Sequence, residues 1–245
     1  MTHIFTIKAG PTIMTSLTIV AMVWLGLWQL ERLEWKQDIL SHIAEQQSRP
    51  TQRLPQQIDD PFMFEYGTFE TSGTFAHDLE LYLFATGPNG GAGYHIYTPL
   101  IRLDASPVLI NRGWIPVRAR NPETRIDGQI AGQVRVRGIA RLSRSPGPFT
   151  PENNLATNNW YYADLTAMAE AVGLPSLAGV ILDADDHPNP GGLPLGGVTR
   201  LNIPNNHLAY ALTWFIFGLI ASVIYVIYSL SRVNPDLSAK PNSVK

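Results

Sequence analysis

The chain has 245 residues and a formal charge of -2, a balance that leaves no global basic footprint and argues against a nucleic-acid partner. It contains no cysteine. That absence excludes disulfides, thiolate zinc sites, covalent Cys-x-x-Cys-His haem attachment and cysteine-based redox shuttles.

Residues 1–11 form a short N-terminal segment, and Thr12 to Leu30 then carry no charge over 19 positions. At about 1.5 Å per residue such a run crosses a hydrocarbon core of roughly 30 Å, so residues 12–30 are predicted to be a first transmembrane helix. The run is too long for a cleaved signal peptide, and Leu30-Glu31-Arg32 stands where a small-residue cleavage site belongs. No arginine precedes Thr12, which favours a bacterial membrane over import by a mitochondrial presequence.

Residues 31–63 read as stalk and linker, a charged continuation of the helix that ends in the breakers Pro50 and Pro55. From residue 64 to 186 the pattern turns to period two. Phe64/Tyr66/Thr68, Tyr94/Ile96/Thr98/Leu100 and Val134/Val136 alternate as half-buried strands do. Leu81 to Ala85, Val108 to Ile110 and Val180 to Leu182 are apolar runs of strand length, and Gly87-Pro88-Asn89-Gly90-Gly91 is a turn. One helix is expected after Asp164, with Leu165, Met168, Ala169 and Val172 on one face and a stop at Gly173. Residues 187–207 lead into a second span; His187 to Gly197 is seven-elevenths Gly and Pro, a flexible stretch. Leu208 to Leu230 is again free of charge, over 23 positions, and residues 231–245 form a tail. The expected fold is membrane-anchored α+β: two transmembrane helices flanking a β-rich sheet or partial barrel with one covering helix.

Arg232, Lys240 and Lys245 follow the second span while Arg200 precedes it, which puts both termini in the cytoplasm and the central domain in the periplasm. Arg32 and Lys36 point weakly the other way, though Glu31, Glu34 and Asp38 lie among them. Within the domain charge is uneven. Asp59 to Asp104 holds seven acids against Arg102 alone, and Arg112 to Arg144 holds eight arginines against Glu123 and Asp127. Cross-strand ion pairing explains this. So does a docking surface for anionic headgroups or an acidic partner, with Arg135 and Arg137 as its candidates.

The sequence has no G-x-S-x-G elbow, no H-E-x-x-H helix, no P-loop and no dinucleotide fingerprint. Asp183-Ala184-Asp185-Asp186-His187 lacks the glycine and glutamate of a calcium loop and reads as a solvated turn. His77 and His95 have no ligand spacing and read as structural. His207 is different, because it stands where the second span begins. An interfacial imidazole can simply snorkel to water. Pro204 with Asn205 or Asn206, one of whose side chains is expected to cap, puts it in the first helical turn, where the dipole disfavours the cation. A neutral imidazole is the form that ligates metal. Tyr210 and Trp214 continue its face at i+3 and i+7. With the spans antiparallel, Trp28 falls opposite Tyr210 and Trp24 opposite Trp214, an aromatic slot that suits a flat macrocycle; an interfacial tryptophan belt is the simpler account of Trp28.

Five motifs carry a resemblance. These are Leu25-Gly26-Leu27-Trp28-Gln29-Leu30-Glu31-Arg32, Ser72-Gly73-Thr74-Phe75, Gly93-Tyr94-His95-Ile96-Tyr97-Thr98-Pro99-Leu100, Asn111-Arg112-Gly113-Trp114 and Asn205-Asn206-His207-Leu208. In this order they resemble the signatures of the Surfeit locus protein 1 family. The resemblance implies an inner-membrane, non-enzymatic factor for assembly of haem-copper cytochrome c oxidase. It implies transient binding of haem a, with His207 as axial ligand, and handover to the catalytic subunit. The haem a supply machinery and membrane lipid are the other implied partners, and the resemblance makes Arg112 with Trp114 a docking candidate, a cationic and aromatic contact for a partner or a propionate, against a purely structural turn and core-edge indole. A cofactor-free scaffold and a membrane-bound enzyme are the competing classes; the latter lacks a convergent set of acid, base and nucleophile.

Overall fold

The computed structural model describes residues 3–5, 7–197 and 204–232. In chain order the elements are β1 (His3–Phe5), α1 (Ala9–Ser48), β2 (Gln52–Arg53), β3 (Thr68–Phe75), β4 (Leu81–Thr86), β5 (Ala92–Ile101), β6 (Val108–Pro116), β7 (Gln133–Arg141), β8 (Asn159–Trp160), α2 (Leu165–Ala171), β9 (Ile181–Ala184), α3 (His207–Ser229) and β10 (Leu230–Arg232). They divide into a helical unit, Met1–Ser41 with Ile203–Lys245, and a β unit, His42–Asn202.

In the helical unit α1 and α3 are long and apolar enough to cross a membrane. Neither Gly nor Pro interrupts α1 between Leu27 and Ser48, so the helix runs on far past the predicted span. Its 40 residues extend roughly 60 Å, about twice a hydrocarbon core. Asn206 occupies the N-cap position of α3, but its side chain makes no capping hydrogen bond, contrary to the expected Asn cap. β1 pairs antiparallel with β10. Arg200, Lys240 and Lys245, on which the predicted orientation rests, lie outside the described residues, as does the tail beyond Arg232.

The β unit is more closed than the sequence implied. Strands β3, β7, β9, β6 and β5 follow one another in hydrogen-bonded order, and β5 returns to β3 through Thr74 opposite Ile101 and Phe75 opposite Leu100. The result is a closed five-stranded barrel, to which β2, β4 and β8 add. Alternation sorts the side chains. Phe69, Leu100, Val108, Ile110, Val136, Ala140 and Leu182 form one buried cluster; Leu81, Tyr97, Leu109, Trp160 and Ile181 form another together with Met168 and Val172. The α2 helix forms as expected: the Asp164 carboxylate accepts from the Thr166 and Ala167 amides, and Gly173 ends it at φ 68°.

Three expectations need correction. The strand read from Phe64 begins only at Thr68, because Pro61–Phe64 is a 3-10 turn capped by Asp60 and Tyr66 has φ 68°. Asp183 is not in a solvated turn; it ends on β9, bonded to Asn111. The Gly/Pro-rich stretch from His187 is not a free lead. The backbone of Leu195 exchanges two 2.9 Å hydrogen bonds with Trp114, and the Asn189 amide donates to Pro194 at 2.6 Å.

Candidate functional site

Helices α1 and α3 pack antiparallel through small and polar side chains. The Thr12 and Tyr225 hydroxyls are 2.6 Å apart, Gly218 faces Met22, and Gly26 lies against the Phe215 ring. A Cβ on Gly26 would come within 2.4 Å of that ring, so close approach requires glycine here. Farther along the same seam Nδ1 of His207 is 2.7 Å from Oε1 of Gln29. An amide oxygen cannot donate, so the proton belongs to Nδ1 of the imidazole. Nε2, the other ring nitrogen, then carries the lone pair, with no hydrogen-bond partner among the described residues. Close by in sequence, Oδ1 of Asn205 is buried with no hydrogen-bond partner among the described residues.

The predicted aromatic slot does not form. Trp24 is 65% exposed, Trp28 39% and Tyr210 57%. Both tryptophans lie two residues from Gly26, about 200° round the helix from the packed face. Trp28 instead stacks with Arg32, which also meets Trp35, at 5.7 and 5.5 Å. Of the expected neighbours only Trp214 is partly buried, edge-on to Phe217. Gln29 was not foreseen, although it is the one side-chain amide in the first charge-free run.

In the β unit the docking candidates separate. Arg112 is 2% exposed and cannot be a docking residue. It reaches Glu80 at 3.4 Å, donates to the Gly128 carbonyl, meets Asn189 at 3.4 Å and lies 4.8 Å over the Phe75 ring. Arg125, also buried, grips both oxygens of Glu80 and donates to the Ala119 carbonyl at 3.1 Å. His77 completes the cluster, with Nδ1 3.7 Å from Glu80 and Nε2 3.0 Å from the Ile130 carbonyl. Burial pushes the Glu80 carboxyl up, but hydrogen bonds from His77 and Arg125 and the charges of Arg125 and Arg112 outweigh it and hold it below the ordinary range. Burial pushes Arg112 down to about 10 despite the Glu80 charge. The acidic and basic stretches thus meet, at least here, in buried ion pairs.

Trp114 is likewise structural. Its indole covers Gly87 and Gly93 and donates to the Ala85 carbonyl at 3.3 Å. Gly113 before it has φ 123°, and a Cβ there would fall 1.9 Å from the Leu195 carbonyl oxygen. Arg135 and Arg137, by contrast, are exposed on β7 and border a cleft of about 310 Å³ floored by Phe75, Val134 and Val136. Arg137 stands opposite Glu70 on β3.

Similarity to known proteins agrees with the motifs. The SURF1 family signature matches residues 16–219. Surfeit locus protein 1 of Mus musculus is 35% identical over 217 residues, covering 82% of this chain and 69% of its own length. The Homo sapiens protein is 34% identical over 218 residues, covering 82% and 71%. A SURF1-like protein of Monosiga brevicollis is 32% identical over 237 residues, covering 89% and 88%. With matches this long, running from the first span through the barrel into the second, the chain belongs to the SURF1 family.

Proposed function

We propose that this protein is an assembly factor for haem-copper cytochrome c oxidase, one that holds haem a through His207 on its way to the catalytic subunit. Family membership supports the assembly role. The observation that carries the haem reading is the Nδ1 bond from His207 to Gln29. It fixes the ring in the tautomer whose Nε2 can ligate iron, the arrangement metal-bound histidines commonly use. His207 is the first residue of α3 and only partly buried, so its ring is held at the helix entrance with one edge open to a ligand. Haem held here would supply an iron, and Nε2 of His207 would be the nitrogen that ligates it. α1 contains a single histidine, His42, near its far end, so His207 is a lone ligand from this pair, suited to release of a cargo. Trp214 is the aromatic neighbour retained in this reading; Tyr210, Trp24 and Trp28 are not.

On this reading the protein is anchored in a bacterial inner membrane with both termini cytoplasmic and the barrel periplasmic, supported by the two helices apolar enough to span and by the charges flanking the second run. Its partners are the oxidase catalytic subunit and the haem a supply machinery. Exposed Arg135 and Arg137 are the docking residues that remain. The test is visible spectroscopy of protein purified from a host that makes haem a. Wild type should carry pigment, His207→Ala should lose it, and Gln29→Leu should weaken retention by about tenfold or more. Unchanged pigment in His207→Ala sinks the ligand assignment; absence of pigment in wild type, with oxidase maturation intact in the variant, favours a cofactor-free scaffold.

A further inference from the structure

The α1–α3 seam has a second feature at the end away from His207. There the Thr12 and Tyr225 hydroxyls close it, about 25 Å along α1 from Gln29. Beside this contact a groove of about 370 Å³ runs between the two helices. Thr15 and Thr18 of α1 and Ala221 of α3 are small and half-buried, whereas Met14 and Ile224 next to them stand 69% and 61% exposed. Short side chains flanked by long ones make a channel. The Thr18 hydroxyl donates to the Met14 carbonyl at 2.9 Å, so that polar atom is satisfied within its own helix. From Pro11 to Thr18 the lining covers roughly 10 Å of helix, about two thirds of the hydrocarbon depth of one leaflet.

Positive charge gathers at one end of the channel. Tyr228 lines that end, and the Lys8 ammonium lies 5.6 Å over its ring, outside the channel itself. Lys8 stands one helical turn beyond Thr12, whose amide donates to the Lys8 carbonyl at 3.1 Å. It is exposed and, among the described residues, has no carboxylate within 4.0 Å. The ring contact steadies the ammonium without neutralising it. α1 begins at Ala9, so the positive end of its dipole points the same way. No acid precedes Glu31 in the sequence, and the residues after α3 hold Arg232, Lys240 and Lys245 against Asp236 alone.

We propose that this groove binds an anionic phospholipid, with one acyl chain lying along Thr15, Thr18 and Ala221 and the phosphodiester against Lys8. An apolar channel of leaflet depth beneath an unpaired cation matches such a molecule at both ends. A phosphatidylcholine offers the same chains, but its headgroup brings a cation of its own, which the local charge disfavours. The site needs α1 and α3 to span a bilayer. It does not depend on haem at His207, which lies at the far end of the seam.

Native mass spectrometry of the delipidated full chain in detergent tests this, with dioleoylphosphatidylglycerol and dioleoylphosphatidylcholine as probes. Wild type should retain phosphatidylglycerol about fivefold better, the preference that one lysine near a membrane surface supplies. Lys8→Gln should bring the two lipids level, and Lys8→Arg, which keeps the charge, should preserve the preference. Ala221→Leu should fill the channel floor and lower retention of phosphatidylglycerol about fivefold. Equal retention of the two lipids by wild type overturns the proposal. So does a preference that survives in Lys8→Gln, retention unchanged in Ala221→Leu, or displacement of the lipid by millimolar inorganic phosphate.

Discussion

Glu80 shows what single residues contribute to this fold and why the sequence conceals it. It is separated by 32 positions from Arg112 and by 45 from Arg125, so no local spacing announces the cluster. All that the sequence displays is an acidic stretch followed by a basic one. Burying three charges costs solvation, which their mutual attraction and hydrogen bonds offset only while every partner is present. Glu80→Ala leaves two buried guanidiniums uncompensated and should cost about 3–5 kcal/mol. For a domain of this size that lowers the thermal midpoint by roughly 6–20 °C, measurable by circular dichroism in detergent. The exposed pair Arg49–Glu45 is the control; Arg49→Ala should change stability by less than about 1 kcal/mol. Equal shifts in the two variants would show that the cluster does not hold the barrel together.

At the scale of elements, the sequence revealed more about depth than about direction. Two charge-free runs located the membrane helices, and the antiparallel register that sets Trp28 opposite Tyr210 lies two residues from the Gln29–His207 contact. The rotation of α1 is not legible from its tryptophans, because Trp24 and Trp28 occupy the face away from Gly26. Close helix approach in a membrane uses small residues, and Gly26 and Gly218 were the better guides. In the barrel, alternation identified β5 and β7 and short apolar runs identified β4, β6 and β9, whereas closure depends on the β3–β5 pairing, which no local pattern encodes. The helix geometry makes a prediction opposite to the aromatic-slot expectation. Gly26→Leu must push Phe215 away and part Gln29 from His207, so pigment retention should fall at least about tenfold. Trp24→Leu, on the far side, should retain pigment as wild type does. Spectroscopy of the two variants decides, and loss in Trp24→Leu with retention in Gly26→Leu would reverse the assignment of faces.

For the whole molecule, the buried ionisable groups imply a direction of pH dependence. Burial lowers the pKa of His95 from its ordinary 6.5, partly countered by Asp183 and Asn111. As pH falls below 6.5 the unfolded chain takes up a proton that the folded barrel resists, so stability declines. Glu80 acts in the same sense at lower pH. Its folded pKa lies below the ordinary 4.5, so its contribution is complete above 4.5 and disappears as pH falls through the folded value. Arg112, at about 10, does not titrate in this range. Thermal midpoints should therefore decline from pH 6.5 downward and fall more steeply below pH 4.5. His95→Asn should remove the His95 contribution to the upper decline and leave the Glu80-dependent loss below pH 4.5. An identical slope between pH 6.5 and 5 in wild type and His95→Asn would mean that His95 is not the group whose burial the barrel maintains.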